Sequence, residues 1–303
     1  MTCSIVARDP DTGSLGVAVQ SCVFAVGAAV PFARPGVGVV ASQAFAEPAY
    51  GPRCLDALAT GATAAGAAEQ ARAADPAAGL RQVGVVSADG SAAAFTGEIC
   101  IDHAGEVVGD GFAVVANMMA TPRVWPAMAD AFAAAEGPLA RRLLASLQAG
   151  QVAGGDARGE MSAAIVVVCG QPAGPGNGVL VDVRVDCSLD PLAELARLLD
   201  VADAYRHFGA GVDALFAGNS ADALVEVDKG LAVLPDDGNL RFLRAGALLA
   251  NGDADTGCAT LRALVDRHPA WATVIRGFAA KGLVALPDHV MLDELRDEAS
   301  EIS

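Results

Sequence analysis

The second residue of the chain could supply a nucleophile together with its own base. Thr2 follows Met1, and a small second residue favours removal of the initiating methionine. An N-terminal threonine then carries a hydroxyl nucleophile and an α-amine, whose pKa of about 8 lets it accept a proton near neutral pH. Such a site needs no histidine, and His103 is the only histidine in residues 1–190. The alternative is that Thr2 is an ordinary strand residue behind a retained methionine.

Two further positions could complete a site around this nucleophile. Asn117 follows a predicted strand and precedes a predicted helix, where its amide and nearby backbone N–H groups could face an oxyanion. The same position suits a helix N-cap or turn asparagine. Glu47, Tyr50 and Arg53 precede a predicted helix and could contact a polar substrate, or could form a solvated helix N-terminus. The predicted substrate-binding residues are Ser21, Arg34, Gln43, Tyr50 and Arg53.

Composition excludes several other classes of function. The 36 acidic and 20 basic side chains leave a net charge of −16, which gives no basic surface for nucleic acid. Lys229 and Lys281 are the only lysines, so residues 1–190 hold no phosphate-binding or Schiff-base lysine. Seven cysteines are widely spaced without a CxxC pair, and the turn around His103 lacks metal-ligand spacing. We therefore expect reduced thiols, no metal or organic cofactor, no nucleic-acid or membrane partner, and a cytoplasmic protein without a signal peptide.

The order of the predicted elements indicates a layered α+β fold for residues 1–190. Residues 3–8 and 15–21 are rich in β-branched side chains and flank the turn sequence 9–13, which predicts a hairpin. Two helix pairs could each cover the outer face of one sheet while the two sheets pack on each other, giving a four-layer αββα sandwich. The remaining predicted elements are strands at 37–43, 82–87, 91–95, 112–116, 162–168 and 179–185, and helices at 52–60, 63–74, 122–135 and 138–149.

Beyond residue 190 the chain is rich in leucine and alanine at helical spacing. This part matches itself with a shift of 34 residues, as in Gly218 and Gly252. That period is typical of tetratricopeptide repeats, and a plain helical bundle is the alternative. Either would serve as an interaction or oligomerisation module. We predict an all-α domain at 191–303, with repeats at about 203–236 and 237–270 and a capping helix at about 271–286.

Six segments of the chain resemble a bacterial family called domain of unknown function 1028. The resemblance extends in continuous order from Thr2 to about Pro191. The family is similar to the N-terminal-nucleophile hydrolases, the superfamily of proteasome β-subunits and penicillin acylases. This similarity implies an αββα fold and a nucleophile at Thr2. The segments are Ser4-Ile5-Val6-Ala7-Arg8-Asp9, Phe24-Ala25-Val26-Gly27, Gly36-Val37-Gly38-Val39-Val40-Ala41-Ser42-Gln43-Ala44, Tyr50-Gly51-Pro52, Arg81-Gln82-Val83-Gly84 and Gly154-Gly155-Asp156-Ala157-Arg158-Gly159.

The same resemblance suggests a role for two residues of the glycine-rich segment. In proteasome-like enzymes an aspartate and a serine before a late strand hold the N-terminal amine, and Asp156 and Ser162 are placed similarly here. The alternative is a surface turn with a contact between Asp156 and Arg158. The aspartate and lysine that set the ionisation of the nucleophile in those enzymes have no counterpart, since Arg34 cannot accept a proton. Activation would then depend on the α-amine of Thr2.

Two functions of different classes follow from these observations. The first is an amide-bond hydrolase for a small polar amide or related nitrogen compound, in which Thr2 attacks, Asn117 holds the oxyanion, and Asp156 with Ser162 orients the amine. The second is a non-catalytic assembly or binding protein whose αββα domain has lost activity and whose repeats recruit a peptide or protein partner. We expect a homo-oligomer, because proteasome-like domains assemble through their helical layers.

Overall fold

The structure is a computed structural model that describes residues 2–174, 177–284 and 286. The chain divides into two compact units, Met1–Leu199 and Asp200–Ser303. The division lies inside one long helix, Pro191–Phe216, whereas the sequence places the boundary at the start of that helix.

Two antiparallel sheets form the centre of the first unit. Their strands are β1 Thr2–Arg8, β2 Leu15–Ser21, β3 Pro31–Arg34, β4 Gly38–Ala44, β5 Arg81–Ser87, β6 Ala92–Thr96, β7 Gly105–Gly109, β8 Phe112–Asn117, β9 Ser162–Val168 and β10 Val179–Val185. A six-stranded sheet has the order β10-β9-β2-β1-β8-β7, and a four-stranded sheet has the order β3-β4-β5-β6. Together with four helices, these sheets make the first unit a mixed α/β structure.

Strand β1 is central in the larger sheet and is buried on both faces. It pairs with β2 on one side and with β8 on the other. Because successive side chains of a strand point to opposite faces, Cys3 and Ile5 face one side while Ser4 and Val6 face the other. A strand that is buried on both faces is rich in apolar residues along its whole length, and this pattern allows β1 to be predicted from the sequence.

Four helices cover the outer faces of the two sheets. Helices α1 Tyr50–Ala59 and α2 Ala64–Ala73 pack on the four-stranded sheet, and α3 Val124–Ala134 and α4 Leu139–Val152 pack on the six-stranded sheet. One apolar cluster lies between each sheet and its helices, and another, including Val6 and Val39, fills the space between the two sheets. Gly16 of β2 allows α4 to approach closely, since a Cβ there would lie 2.6 Å from Leu143 Cδ1.

The strands that the sequence does not predict are both edge strands. Strand β3 has four half-buried residues and β7 has five residues with an exposed alternate face. Pro31 begins β3, a position at which a missing N–H costs no ladder hydrogen bond. Short edge strands lack the continuous apolar pattern of β1, β2 and β9, so their sequences resemble loops.

The second unit consists of helices. After the long helix α5 Pro191–Phe216 come α6 Ser220–Val233, α7 Gly238–Ala250, α8 Ala254–Arg267 and α9 Trp271–Ala280. Asn219, Asp237 and Asp253 accept hydrogen bonds from the first-turn N–H groups of α6, α7 and α8. Gly218 and Gly252 have positive φ just after α5 and α7. The C-terminal region is helical, as the sequence predicts.

The last helix is shorter than the predicted capping helix at 271–286. Helix α9 ends at Ala280 because Gly282, with φ of 69°, turns the chain and its N–H bonds to Ala279 O. Residue 285 lies outside the described residues. Among the helices that the structure describes, none combines the length and apolar character needed to cross a membrane.

Candidate functional site

Thr2 lies at the meeting point of three strand ends in the six-stranded sheet. It pairs in register with Ser21, the last residue of β2, and with Asn117, the last residue of β8. Its hydroxyl donates a hydrogen bond to Ser21 Oγ at 3.2 Å. The residue is 5% exposed. The nucleophile candidate is thus held at the end of a buried strand, on the face shared with Ser4 and the second sheet.

Two buried amides fix the backbone of Thr2. Gln43 Nε2 donates to the carbonyl oxygen of Thr2 at 3.0 Å, and Asn117 Nδ2 donates to the same oxygen at 3.3 Å. Gln43 and Asn117 are each 1% exposed. Ser4 Oγ donates to Gln43 Oε1 at 2.5 Å, which fixes the orientation of that amide because only its oxygen can accept. The sequence predicts Asn117 as an oxyanion donor and Gln43 as a substrate-binding residue. In the structure both amides instead donate to the backbone carbonyl of Thr2.

A third amide, from Gln82 of β5, connects these two and is not among the site residues predicted from the sequence. Gln82 Oε1 accepts from Gln43 Nε2 at 2.7 Å and from Asn117 Nδ2 at 2.9 Å. Its Nε2 donates to Thr96 Oγ1 and to Ala116 O, both at 2.8 Å. Gln82 is fully buried. The sequence feature that could have indicated Gln82 is its position near the start of a largely apolar strand, because a buried glutamine needs several hydrogen-bond partners.

Asp156 places a buried carboxylate next to the end of β2. Its Oδ2 accepts from the N–H of Cys22 at 3.3 Å, and its Oδ1 accepts from the N–H of Arg158 at 2.9 Å. The guanidinium of Arg158 lies 3.5 Å from the same Oδ1, while the Asp156 side chain is only 2% exposed. Burial, and then the charge of Asp156, raises the pKa of Cys3 to about 12. The carboxylate is therefore close enough to affect the residue that follows Thr2.

Ser162 supports a loop instead of contacting Thr2. It begins β9 in register with Ser21. Its hydroxyl donates to Val23 O at 2.6 Å and accepts from Val26 N at 3.1 Å. The hydroxyl thereby anchors the segment after β2, and the structure assigns it no bond to the nucleophile candidate.

A second polar cluster lies on the helix side of the same sheet. Gln20 Nε2 donates to Gln151 Oε1 at 2.8 Å and to Glu160 Oε2 at 2.9 Å. Gln20 is 1% exposed, and its Oε1 finds no hydrogen-bond partner among the described residues. Burial, followed by the charge of Asp190, raises the pKa of Glu160.

Three of the predicted substrate-binding residues do not lie with Thr2. Arg34 pairs with Gly38, at the opposite end of β4 from Gln43, and forms an ion pair with Asp56 at 2.8 Å. Tyr50 is fully buried between α1 and the four-stranded sheet, and burial together with Asp75 raises its pKa to about 12. Arg53 is exposed on the outer face of α1. The polar contacts expected from these side chains are therefore not available at Thr2.

Strained backbone is concentrated at the same end of the sheets. The non-glycine residues with positive φ in the described chain are Ala25, Ala44, His103 and Met118, with φ of 53°, 70°, 54° and 55°. Each lies at or close to a strand end on the Thr2 side. Such conformations cost about 1–3 kcal/mol each and are concentrated at functional sites. These four residues come from separate segments, and each lies at or near the end of the sheets where Thr2 begins β1.

In the part of the chain that the structure describes, no three histidine, cysteine, aspartate or glutamate side chains come together as a potential metal site.

Comparison with known proteins identifies the family. A model described as a family of unknown function, DUF1028, matches residues 2–195. The chain belongs to the DUF1028 family. The chain is similar to the crystal structure of protein SPO2555 from Silicibacter pomeroyi, described as a member of the same family, with 33% sequence identity and a TM-score of 0.61. That similarity covers 66% of this chain and 85% of the other. No curated protein matches the chain in sequence. The predicted family resemblance is thus confirmed.

Proposed function

We propose that the DUF1028 domain is an amide-bond hydrolase of the N-terminal-nucleophile type, with Thr2 as its nucleophile. The observation that carries this proposal is the way Thr2 is held: its carbonyl is fixed by Gln43 and Asn117, and its hydroxyl bonds to Ser21. A nucleophile held in one geometry reaches a bound substrate without a further loss of conformational freedom.

The packing of the elements supports the same proposal. Helices α1 and α2, the four-stranded sheet, the six-stranded sheet, and helices α3 and α4 follow one another in contact. This succession agrees with the αββα sandwich of that superfamily, in which the first residue of a central strand performs the attack. We further propose that the second unit is tetratricopeptide-like, since α6 and α8 begin with the predicted shift of 34 residues.

The proposed reaction requires the removal of Met1. The hydroxyl oxygen of Thr2 attacks the amide carbonyl carbon, and the freed α-amine takes the hydroxyl proton. The tetrahedral intermediate collapses, the C–N bond breaks, and the amine passes its proton to the leaving nitrogen. Water then attacks the resulting ester, which releases the acid and restores Thr2.

Several buried polar side chains support these steps from different sides. Asn117 and Gln43 keep the Thr2 backbone in place, so Asn117 acts here as a positioning residue. Asp156 offers the buried negative charge, beside Ser21 and Cys22, that would stabilise the α-ammonium formed during attack. Ser162 contributes indirectly, through the loop that it anchors.

Labelling with an electrophilic β-lactone tests the proposal. Attack by the Thr2 oxygen opens the lactone ring, so one adduct should form on the wild type and map to Thr2. Thr2→Ala should form none, and Thr2→Ser should retain labelling because the hydroxyl remains. Ser146→Ala is the matched control, since Ser146 is a buried hydroxyl bonded to Met128 O in another part of the unit. Equal labelling of wild type and Thr2→Ala would refute the proposal.

A second candidate function, that of a non-catalytic binding protein, is favoured by one feature of the helical unit. A cavity of about 240 Å³ there is lined mainly by apolar side chains of α5, α7 and α9, among them Phe216, Phe242 and Phe278. Phe216 is 79% exposed. An exposed aromatic side chain at a concave apolar site is typical of peptide recognition. A retained Met1 together with absent labelling would favour this candidate.

A further inference from the structure

Large apolar side chains are exposed on three loops at the Thr2 end of the two sheets. Phe24 follows β2 and is 70% exposed, and Phe45 follows β4 and is 53% exposed. Ile99 and Ile101, in the loop from β6 to β7, are 58% and 49% exposed. Strands β2, β4 and β6 all end on the side where Thr2 begins β1, as their pairing shows. We call these four side chains the apolar rim.

Each rim loop adjoins a residue that contacts Thr2, two of them through a hydrogen bond and one through the sequence. The N–H of Val23, next to Phe24, donates to Ser21 Oγ, the acceptor of the Thr2 hydroxyl. Ile101 O accepts from the N–H of Met118, which follows Asn117. Phe45 is separated by one residue, Ala44, from Gln43. The three rim loops therefore lie next to residues of the candidate site.

The strained residues belong to the same loops. Ala25 adjoins Phe24, Ala44 adjoins Phe45, and His103 lies two residues after Ile101. Residues with positive φ thus lie beside the exposed apolar side chains, and such conformations are often found at functional sites. Exposed apolar clusters of this kind usually mark a binding surface.

The three buried amides near Thr2 are already used inside the protein. Gln43, Gln82 and Asn117 bond to one another and to the backbone. The loop of Ile99 and Ile101 also carries exposed Glu98 and Asp102, which disfavour an anionic ligand. The site thus offers apolar contact to an uncharged group, in contrast to the small polar amide expected from the sequence.

We propose that the apolar rim binds an uncharged apolar acyl group, so that the substrate is an amide of an aliphatic or aromatic acid. This proposal rests on the proposed function for the identity of the amide bond, while binding to the rim can be measured without turnover. A second copy of the chain covering the rim is the competing occupant.

The test uses the full chain with Thr2→Ala, which cannot turn over an amide. Binding of propanamide, butanamide and hexanamide is measured by ligand-observed NMR. Each added methylene should tighten binding by about three- to fourfold, as expected for burial of apolar surface. Phe24→Ser and Ile101→Ser, each added to Thr2→Ala, should reduce the gain per methylene by at least half. Leu180→Ser is the matched control, because Leu180 is 55% exposed at the opposite end of the sheet.

Several outcomes would overturn the proposal. Equal binding of the three amides, or an unchanged gain in Phe24→Ser and Ile101→Ser, would show that the rim does not contact the acyl group. A dimer that becomes monomeric in these variants, with no dependence on chain length, would assign the rim to a second copy. Labelling of Thr2 with a flat chain-length series leaves the hydrolase standing and removes this inference. Binding that tightens with chain length, without labelling of Thr2, would support the apolar rim as a binding surface and remove the proposed hydrolase.

Discussion

Replacing Gln82 by methionine should destabilise the first unit more than the same replacement at Gln20. Both glutamines are buried in strands, but Gln82 has partners for both polar atoms while Gln20 Oε1 has none among the described residues. Methionine has a similar volume and adapts to an irregular site, so the comparison isolates the hydrogen bonds.

The magnitude follows from the bonds that are lost. At Gln82 these are two accepted bonds, from Gln43 and Asn117, and donated bonds to Thr96 and Ala116. With each worth about 0.5–1.5 kcal/mol, Gln82→Met should lower the free energy of unfolding by about 2–6 kcal/mol. At Gln20 the loss of two donated bonds is partly offset by removal of an unpaired oxygen, so about 0–1 kcal/mol is expected.

Tryptophan fluorescence during urea unfolding measures this difference. The chain has two tryptophans, and Trp271 belongs to the second unit. In a Trp271→Phe background, Trp125 of α3 reports on the first unit alone. Equal destabilisation by the two variants, or a stability unchanged by Gln82→Met, would refute the bonding pattern around Thr2.

Three further predictions concern the surroundings of the site. Since burial raises the pKa of Glu160, the folded state holds this proton more tightly than the unfolded state, and the free energy of unfolding should fall as pH rises just above the ordinary value of 4.5. In Glu160→Gln, the free energy of unfolding should change less with pH in this range. An unchanged slope would contradict the raised pKa of Glu160. Gly155→Ala should cost about 1–2 kcal/mol in urea unfolding, because φ is 59° and the new Cβ would lie 2.3 Å from Gln151 Oε1. In native thiol labelling at pH 8, exposed Cys187 should react rapidly and Cys3 slowly, since burial raises the pKa of Cys3 to about 12; equal rates would show that β1 is not buried.

The sequence predicts the buried strands and most of the helices because burial leaves a regular apolar pattern. Strands β1, β2 and β9 match the predicted ranges to within one residue. Edge strands β3 and β7 have half-solvated faces, and that pattern does not separate them from loops. The end of α9 depends on the positive φ of Gly282, which a glycine permits but does not require.

The candidate site was only partly predictable, because it depends on how the two sheets face each other. Asn117 could be placed beside Thr2 from its position at a strand end. Gln82 could not, since its contact with Asn117 crosses from one sheet to the other. Arg34 and Gln43 lie on neighbouring strands of one hairpin, and only the register shows that they are at opposite ends.

The chemical state of the N-terminus, measured by intact mass and N-terminal sequencing of the purified protein, tests the central claim most directly. A nucleophile with its own α-amine requires Thr2 to be the first residue and its amine to be free. We predict that intact mass and N-terminal sequencing show the loss of Met1 and an unmodified threonine. A retained Met1, or an acetylated terminus, would contradict the proposed mechanism, because no α-amine of Thr2 would then be available to accept the proton.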